Sequence, residues 1–217
     1  MELQVIFGTG PIGCWTARAL RKEGHSVRAV NRSGRRPDLL PEDVELVTAD
    51  AADSTQAIEA ARGASVVYQA LNAPYHRWAD LFPPLQRGVM AAAQAMKARY
   101  VSIENLYMYD AASSITAESP ILPRSKKGAL RARMADELLR AHQRGDLRYT
   151  ALRPSDLYGP GVQLSALGER FFGSLVRGRK EKPGSDPITL SLFLQDIEDA
   201  TGTAMQWVRP LECHDET

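Results

Sequence analysis

The chain begins with "LQVIF", Leu3 to Phe7, a short and mostly apolar run that ends at Gly8. A run of that kind closed by glycine is the pattern of a strand buried in a parallel sheet. The period then changes. From Pro11 to Glu23, Ile12, Trp15, Ala19 and Leu20 share one helical face, while Arg18, Arg21 and Lys22 are polar. Pro11 suits a first helical position, and Gly24 is a good C-terminal stop.

The same switch recurs along the chain. "HSVRAV" (His25 to Val30) and "VELVTA" (Val44 to Ala49) predict strands two and three. The intervening "NRSGRRPDLLPED" is polar, marked by proline and glycine, and shows no helix. A short helix over about Ser54 to Ala61 leads to strand four in "ASVVYQAL". Arg77 to Lys97 reads as a helix in which Pro83 and Pro84 imply a late start or a kink. "YVSI" predicts strand five, Lys126 to His142 a helix, and "LRYTALR" strand six. Helices over about Leu164 to Val176 and Leu194 to Trp207 complete the pattern. Alternation of this kind predicts an α/β fold, a doubly wound parallel sheet of the Rossmann type with helices on both faces. In such sheets ligands bind beyond the C-terminal ends of the strands, near strand one.

Composition narrows the field. At 217 residues the expectation is one domain, 1–217, with residues 155–217 adding a small substrate-side lobe. The 44% hydrophobic and 24% charged residues are those of an ordinary globular protein. A formal net charge of +1 gives no whole-protein field to attract nucleic acid or an anionic membrane. No apolar stretch approaches the roughly 20 residues that a membrane span needs. The opening "MELQVIFG" has no basic n-region, which argues against a signal peptide. Two cysteines, Cys14 and Cys213, make no disulfide framework, and a reducing cytoplasm is the expected location. Cys213 and His214 lack the further ligands that a metal site needs.

Gly8, Gly10 and Gly13 form Gly-x-Gly-x-x-Gly between the first strand and the first helix. The first glycine permits the tight turn, the second lets backbone approach a pyrophosphate, and the third lets helix and strand pack closely. Free amides at the helix N-terminus face the phosphates. The end of strand two selects the dinucleotide: a carboxylate there would bond the ribose hydroxyls of NAD. The sequence instead has Asn31 and Arg32, with Arg35 and Arg36 close behind, an arrangement suited to a 2′-phosphate. NADP(H) is expected over NAD(H).

Four segments resemble the short-chain dehydrogenase/reductase superfamily, in its extended or atypical, NAD-dependent epimerase/dehydratase-like branch. They are "GTGPIG", the "AD" that ends in Asp50, "YVSIENLYMYD" and "LRPSDLYGPG". The resemblance implies that Thr9, Pro11 and Ile12 join the glycines around the cofactor, and that Asp50 and Ala51 lie at the adenine. It places Ala70, Leu71 and Asn72 along the cofactor after strand four, and Pro154 to Asp156, Ser155 included, beside the nicotinamide.

The family's chemistry rests on a Ser or Thr after strand five and on Tyr-x-x-x-Lys in the next helix. The tyrosine is the acid/base, and the lysine one turn later stabilises its phenolate. None of the seven tyrosines here has a lysine four residues on. Aligning Glu137 with the glutamate that follows the motif puts Ala129 in the Tyr slot and Arg133 in the Lys slot. The remaining candidates are Tyr107 and Tyr109, as proton donors or as locally packed residues, and Asn105, as a carbonyl ligand or a turn cap.

"PYHRW" (Pro74 to Trp78) and the basic run Arg124, Lys126, Lys127, Arg131 and Arg133 lie on the ligand side. Either meets a substrate or is merely solvated. Two readings stand: an oxidoreductase or epimerase on a small carbonyl or sugar-like substrate, and a non-catalytic NmrA-like sensor of NADP(H). By resemblance, the helices Arg77–Lys97 and Lys126–His142 pair into a homodimer, with Ala91, Ala92 and Ala95 as a close-packing face.

Overall fold

The computed structural model describes residues 2–110, 115–116, 118–154 and 157. The two helices expected after residue 160 and the reduced C-terminal lobe lie outside the described residues. The chain runs β1 (Leu3–Phe7), α1 (Pro11–Lys22), β2 (Ser26–Asn31), β3 (Glu45–Thr48), α2 (Ser54–Ala60) and β4 (Ala64–Gln69). A 3-10 turn (Tyr75–Arg77) leads into α3 (Trp78–Met96), then β5 (Arg99–Ile103), α4 (Lys126–Gln143) and β6 (Arg148–Leu152). The strands form one six-stranded sheet in the order β3-β2-β1-β4-β5-β6. Every pairing in it is parallel, and the order reverses beside β1.

Strand residues alternate between two cores, as a period of two requires. Ile6, Val27 and Ala29 pack with Cys14 and Ala17 of α1 and with Leu40 and Val44 of the 32–44 loop. Val5, Phe7, Val67 and Tyr100 face the other way, onto Ala57 of α2, Val89 of α3 and Leu138 of α4. Helices therefore cover both faces, as the alternation predicts.

Two expectations change. The α3 helix starts at Trp78 and carries both Pro83 and Pro84 within it, so of the late start and the kink the first is excluded. Trp78 and Phe82 hold the first turn, buried against Leu130 and Met134, and this packing offsets the lost backbone bonds. Ala92 is not on an outward face: it is fully buried in the core beneath α3, because the helix turns it toward the sheet. Only Ala91 and Ala95 are left at least partly accessible.

Candidate functional site

The turn after β1 is built at backbone distances. Gly8 has φ of +107°, and a Cβ on it would lie 2.5 Å from the Ala70 carbonyl oxygen. Only glycine allows both the left-handed backbone and the close pass beneath the loop after β4. A Cβ on Gly13 would stand 1.9 Å from the Gly8 carbonyl oxygen, so α1 is pressed directly onto the turn. Gly10 is the opposite case: its Cβ would meet nothing within 4 Å.

Gly10 is the N-cap of α1, no side chain caps the helix, and Pro11 follows at its start. The first-turn amides of α1 are thus left without a side-chain acceptor at the positive end of the helix dipole. An open cradle over Gly10 beside uncapped amides fits a pyrophosphate. Thr9 and Ile12 lie within the same turn and first helical turn. Cys14 is buried, its thiol donates to the Thr9 carbonyl at 3.4 Å, and burial raises its pKa, so it is a packing residue.

At the end of β2, Asn31 organises the loop. Its amide nitrogen donates to Thr9 Oγ1 at 2.8 Å and to the Arg35 carbonyl at 2.9 Å, and its oxygen accepts from the Gly34 amide. Asn31 therefore joins the glycine turn to the loop that should face the ribose. The arginines divide. Arg36 donates to the Pro41 and Val44 carbonyls at 2.8 Å each, which holds the loop shut from its far side. Those carbonyls already occupy both terminal nitrogens expected to serve a 2′-phosphate. Arg32 is exposed and bonds to none of the described residues.

After β3, the Asp50 carboxylate accepts from the Ala52 amide at 2.9 Å, and the Ala51 side chain is buried in the core. Ala51 would meet a nucleotide through its backbone only. After β4, Ala70 and Leu71 are half-buried beside Gly8, and Asn72 is exposed. Pro154 is buried, while Ser155 and Asp156 lie outside the described residues.

Beyond β5 and β6 lies a buried polar group that the sequence reading missed. Glu104 is 7% exposed and accepts from the Tyr149 hydroxyl at 2.5 Å and from Arg153 Nε at 2.9 Å. Arg153 reaches on to the Tyr109 hydroxyl at 2.7 Å. Burial pushes the Tyr149 pKa well up, and the Glu104 carboxylate adds to it, so Tyr149 stays a hydrogen-bond donor. The buried Arg131 guanidinium stacks over Phe82 at 4.9 Å, its Nε without a partner among the described residues. Desolvation lowers its pKa, while Glu104 works against that fall. An acid directly after an apolar strand and an arginine in the core-facing register of α4 were the available signals. Neither is distinctive without the fold.

The catalytic candidates separate here. Asn105 Oδ1 accepts from the Tyr107 amide at 3.2 Å, so its carbonyl caps its own turn. Tyr109 is buried and held by Arg153. Tyr107 is 43% exposed, with its ring 5.5 Å from Trp78 and 6.5 Å from Tyr75.

Ser125 caps α4, accepting from the Gly128 amide at 3.0 Å. A Cβ on Gly128 would stand 2.2 Å from the Tyr107 carbonyl oxygen, which locks the helix start to the loop after β5. Ala129 and Arg133, the positions aligned with the family's Tyr and Lys, line a cavity of about 400 Å³. Tyr75, His76 and Trp78 line its other side, so the structure joins "PYHRW" to the basic run. A larger hollow of about 530 Å³ follows β3 and α2 around the Arg28–Glu45 ion pair and includes no residue of the glycine turn. Among the described residues no cluster of His, Cys, Asp or Glu could hold a metal, and no helix is long and apolar enough to cross a membrane.

Solved structures share this fold. The enzyme WbmH of Bordetella bronchiseptica, in complex with NAD+, superposes with a TM-score of 0.69 at 20% identity, over 83% of this chain and 64% of its own. A UDP-galactose 4-epimerase gives 0.68 at 23% identity, over 81% of this chain and 63% of its own. A short-chain dehydrogenase/reductase superfamily protein from Agrobacterium tumefaciens, with bound NAD, gives 0.56 at 23% identity, over 70% and 48%. The chain thus spans about half to two-thirds of the length of these neighbours. No curated protein matches it in sequence. The fold is the Rossmann fold of the epimerase-like short-chain dehydrogenases expected from the motifs. The family model described as NAD(P)H-binding matches residues 8–174, starting at the first glycine of the turn, and the chain belongs to that NAD(P)H-binding family.

Proposed function

We propose that the protein is an NADP(H)-dependent oxidoreductase or epimerase acting on a small carbonyl or sugar-like substrate. The observation that carries the nucleotide reading is the open cradle over Gly10 at the uncapped start of α1. In this reading Gly8 to Gly13 hold the pyrophosphate, Asp50 and the Ala51 backbone meet the adenine, and Ala70 to Asn72 with Pro154 line the nicotinamide half. Two of the solved neighbours named above, WbmH and the Agrobacterium tumefaciens protein, carry NAD. The preference for NADP(H) here rests on the end of β2, where Asn31 replaces a carboxylate and Arg32 is exposed beside it.

When bound, the nicotinamide supplies hydride transfer. The chain's own residues supply position and a proton. Of Asn105, Tyr107 and Tyr109, Tyr107 is the exposed residue, packed beside Trp78 beyond β5, and it is assigned as proton donor to a substrate carbonyl. Arg153 and Glu104 hold Tyr109 and the β5–β6 ends in place behind it.

The sensor reading keeps one observation in its favour: the positions aligned with the family's Tyr and Lys are Ala129 and Arg133, and arginine cannot release a proton. Calorimetric titration with NADPH, NADH and NADP+, followed by NADPH oxidation over a panel of aldehydes and ketones, separates the two. The enzyme reading expects NADPH to bind more tightly than NADH, and turnover that falls about 10²-fold or more in Tyr107→Phe with NADPH affinity unchanged. Tighter NADP+ than NADPH binding without turnover would establish the sensor. Failure to bind any of the three would remove both.

A further inference from the structure

The cavity between the start of α3 and the start of α4 has an unbalanced charge. Lys126, Lys127 and Arg133 line it, and among the described residues none of the three forms an ion pair. Elsewhere on the same helix Arg140 pairs with Asp136, and just beyond it Arg144 pairs with Asp146. The lysines also stand in the first turn of α4, which contains no acidic residue. Cations there oppose the helix dipole, so the placement weakens the fold unless something anionic meets it.

The opposite wall is aromatic. Lys127 Nζ sits 3.7 Å from the centre of the Tyr75 ring, and Tyr75 packs edge-on to Trp78 at 5.0 Å. Tyr75 is 57% exposed, yet the rings continue to Tyr107 and so to the loop after β5. Cations on one side and ring faces on the other suit a ligand with two parts, an oxyanion and a flat or apolar body.

We infer that this cavity is the site for a phosphate- or carboxylate-bearing small molecule, its anion held by Lys126, Lys127 and Arg133 and its body lying against Tyr75 and Trp78. The identification of that molecule as the substrate rests on the reading of the preceding section, whereas its binding does not. The site gives the lysines at the start of α4 an anionic partner.

The test is calorimetric titration of the 217-residue chain with phenyl phosphate, inorganic phosphate and phenol, and with NADPH in parallel. Phenyl phosphate should bind more tightly than inorganic phosphate, and phenol least. Lys127→Ala and Arg133→Ala should each weaken phenyl phosphate about tenfold, and Arg140→Ala, at the far end of α4, should not. Lys126→Glu should weaken it as well while raising Tm by about 1–4 °C, since it favours the helix dipole. That pairing of better stability with poorer binding would not arise from a merely structural role.

Equal binding in the wild type and all these variants would overturn the inference. So would loss in Gly10→Ala with none in Lys127→Ala, because the phosphate would then sit in the glycine turn. NADPH binding without phenyl phosphate binding sinks this site and spares the nucleotide reading. Phenyl phosphate binding without NADPH binding does the reverse.

Discussion

Gly10 and Gly13 stand three residues apart in one turn, yet they fail in opposite ways. A methyl on Gly13 meets the Gly8 carbonyl at 1.9 Å, backbone against backbone, where nothing can yield cheaply. Gly13→Ala should cost about 1–3 kcal/mol of unfolding free energy and should loosen α1 from β1. A methyl on Gly10 meets no protein atom within 4 Å. Gly10→Ala should leave stability within about 0.5 kcal/mol of wild type. It should nonetheless weaken NADPH at least about tenfold, since the methyl fills the pyrophosphate cradle. Urea unfolding beside nucleotide titration reads both quantities. A stable Gly10→Ala protein with unchanged NADPH affinity would move the nucleotide away from this turn.

At the scale of elements, the 32–44 loop and the α3–α4 pair show how polar side chains hold the sheet's layers together. Arg18 donates to the Leu39 carbonyl, Arg21 pairs with Asp43, and Arg36 bonds the Pro41 and Val44 carbonyls. A stretch that shows no helix is thereby tied to α1 and to itself. On the other face, Gln86 is 2% exposed and its amide donates to the Met134 carbonyl and to Glu137, both at 2.9 Å. Gln86→Leu would take the donor from the partly buried Glu137 carboxylate and the second bond from the Met134 carbonyl, which the ladder of α4 still serves. It should lower stability by about 1–3 kcal/mol, and an unchanged denaturant midpoint would show that water serves equally well. The same pair of helices frames the cationic cavity, so looser α3–α4 packing should also blur phenyl phosphate binding.

For the molecule as a whole, two buried tyrosines set an alkaline limit. Burial raises the pKa of Tyr100 and Tyr149, and the charge of Glu104 adds to both. In the unfolded chain each ionises near pH 10, whereas in the native state each stays protonated well above that. Their contribution is complete below about pH 10 and is lost as pH rises further, at about 1.4 kcal/mol per pH unit for each tyrosine. Denaturation midpoints should hold to about pH 10 and then fall, and Tyr149→Phe should flatten that fall by one tyrosine's share. A midpoint that stays level above pH 10 would mean that the hydroxyls ionise in place.

Hydrophobic period and glycine spacing by themselves determined the strands and helices of the described residues, the parallel sheet and the turn for a nucleotide. These follow from which residues must leave water and which backbones need no side chain, and both properties travel with the residue along the chain. The departure from Tyr-x-x-x-Lys was equally legible, since it is a matter of spacing. What only the tertiary structure decided were the pairings across elements. Arg36, expected at the 2′-phosphate, clasps its own loop because two carbonyls lie within its reach. Ala92 turned inward because α3 is rotated by its buried aromatics. Glu104, Tyr109, Tyr149 and Arg153 became one network, and "PYHRW" met the lysines of α4. Charges and hydrogen bonds act over a few ångströms, and the fold alone brings residues dozens of positions apart within that range.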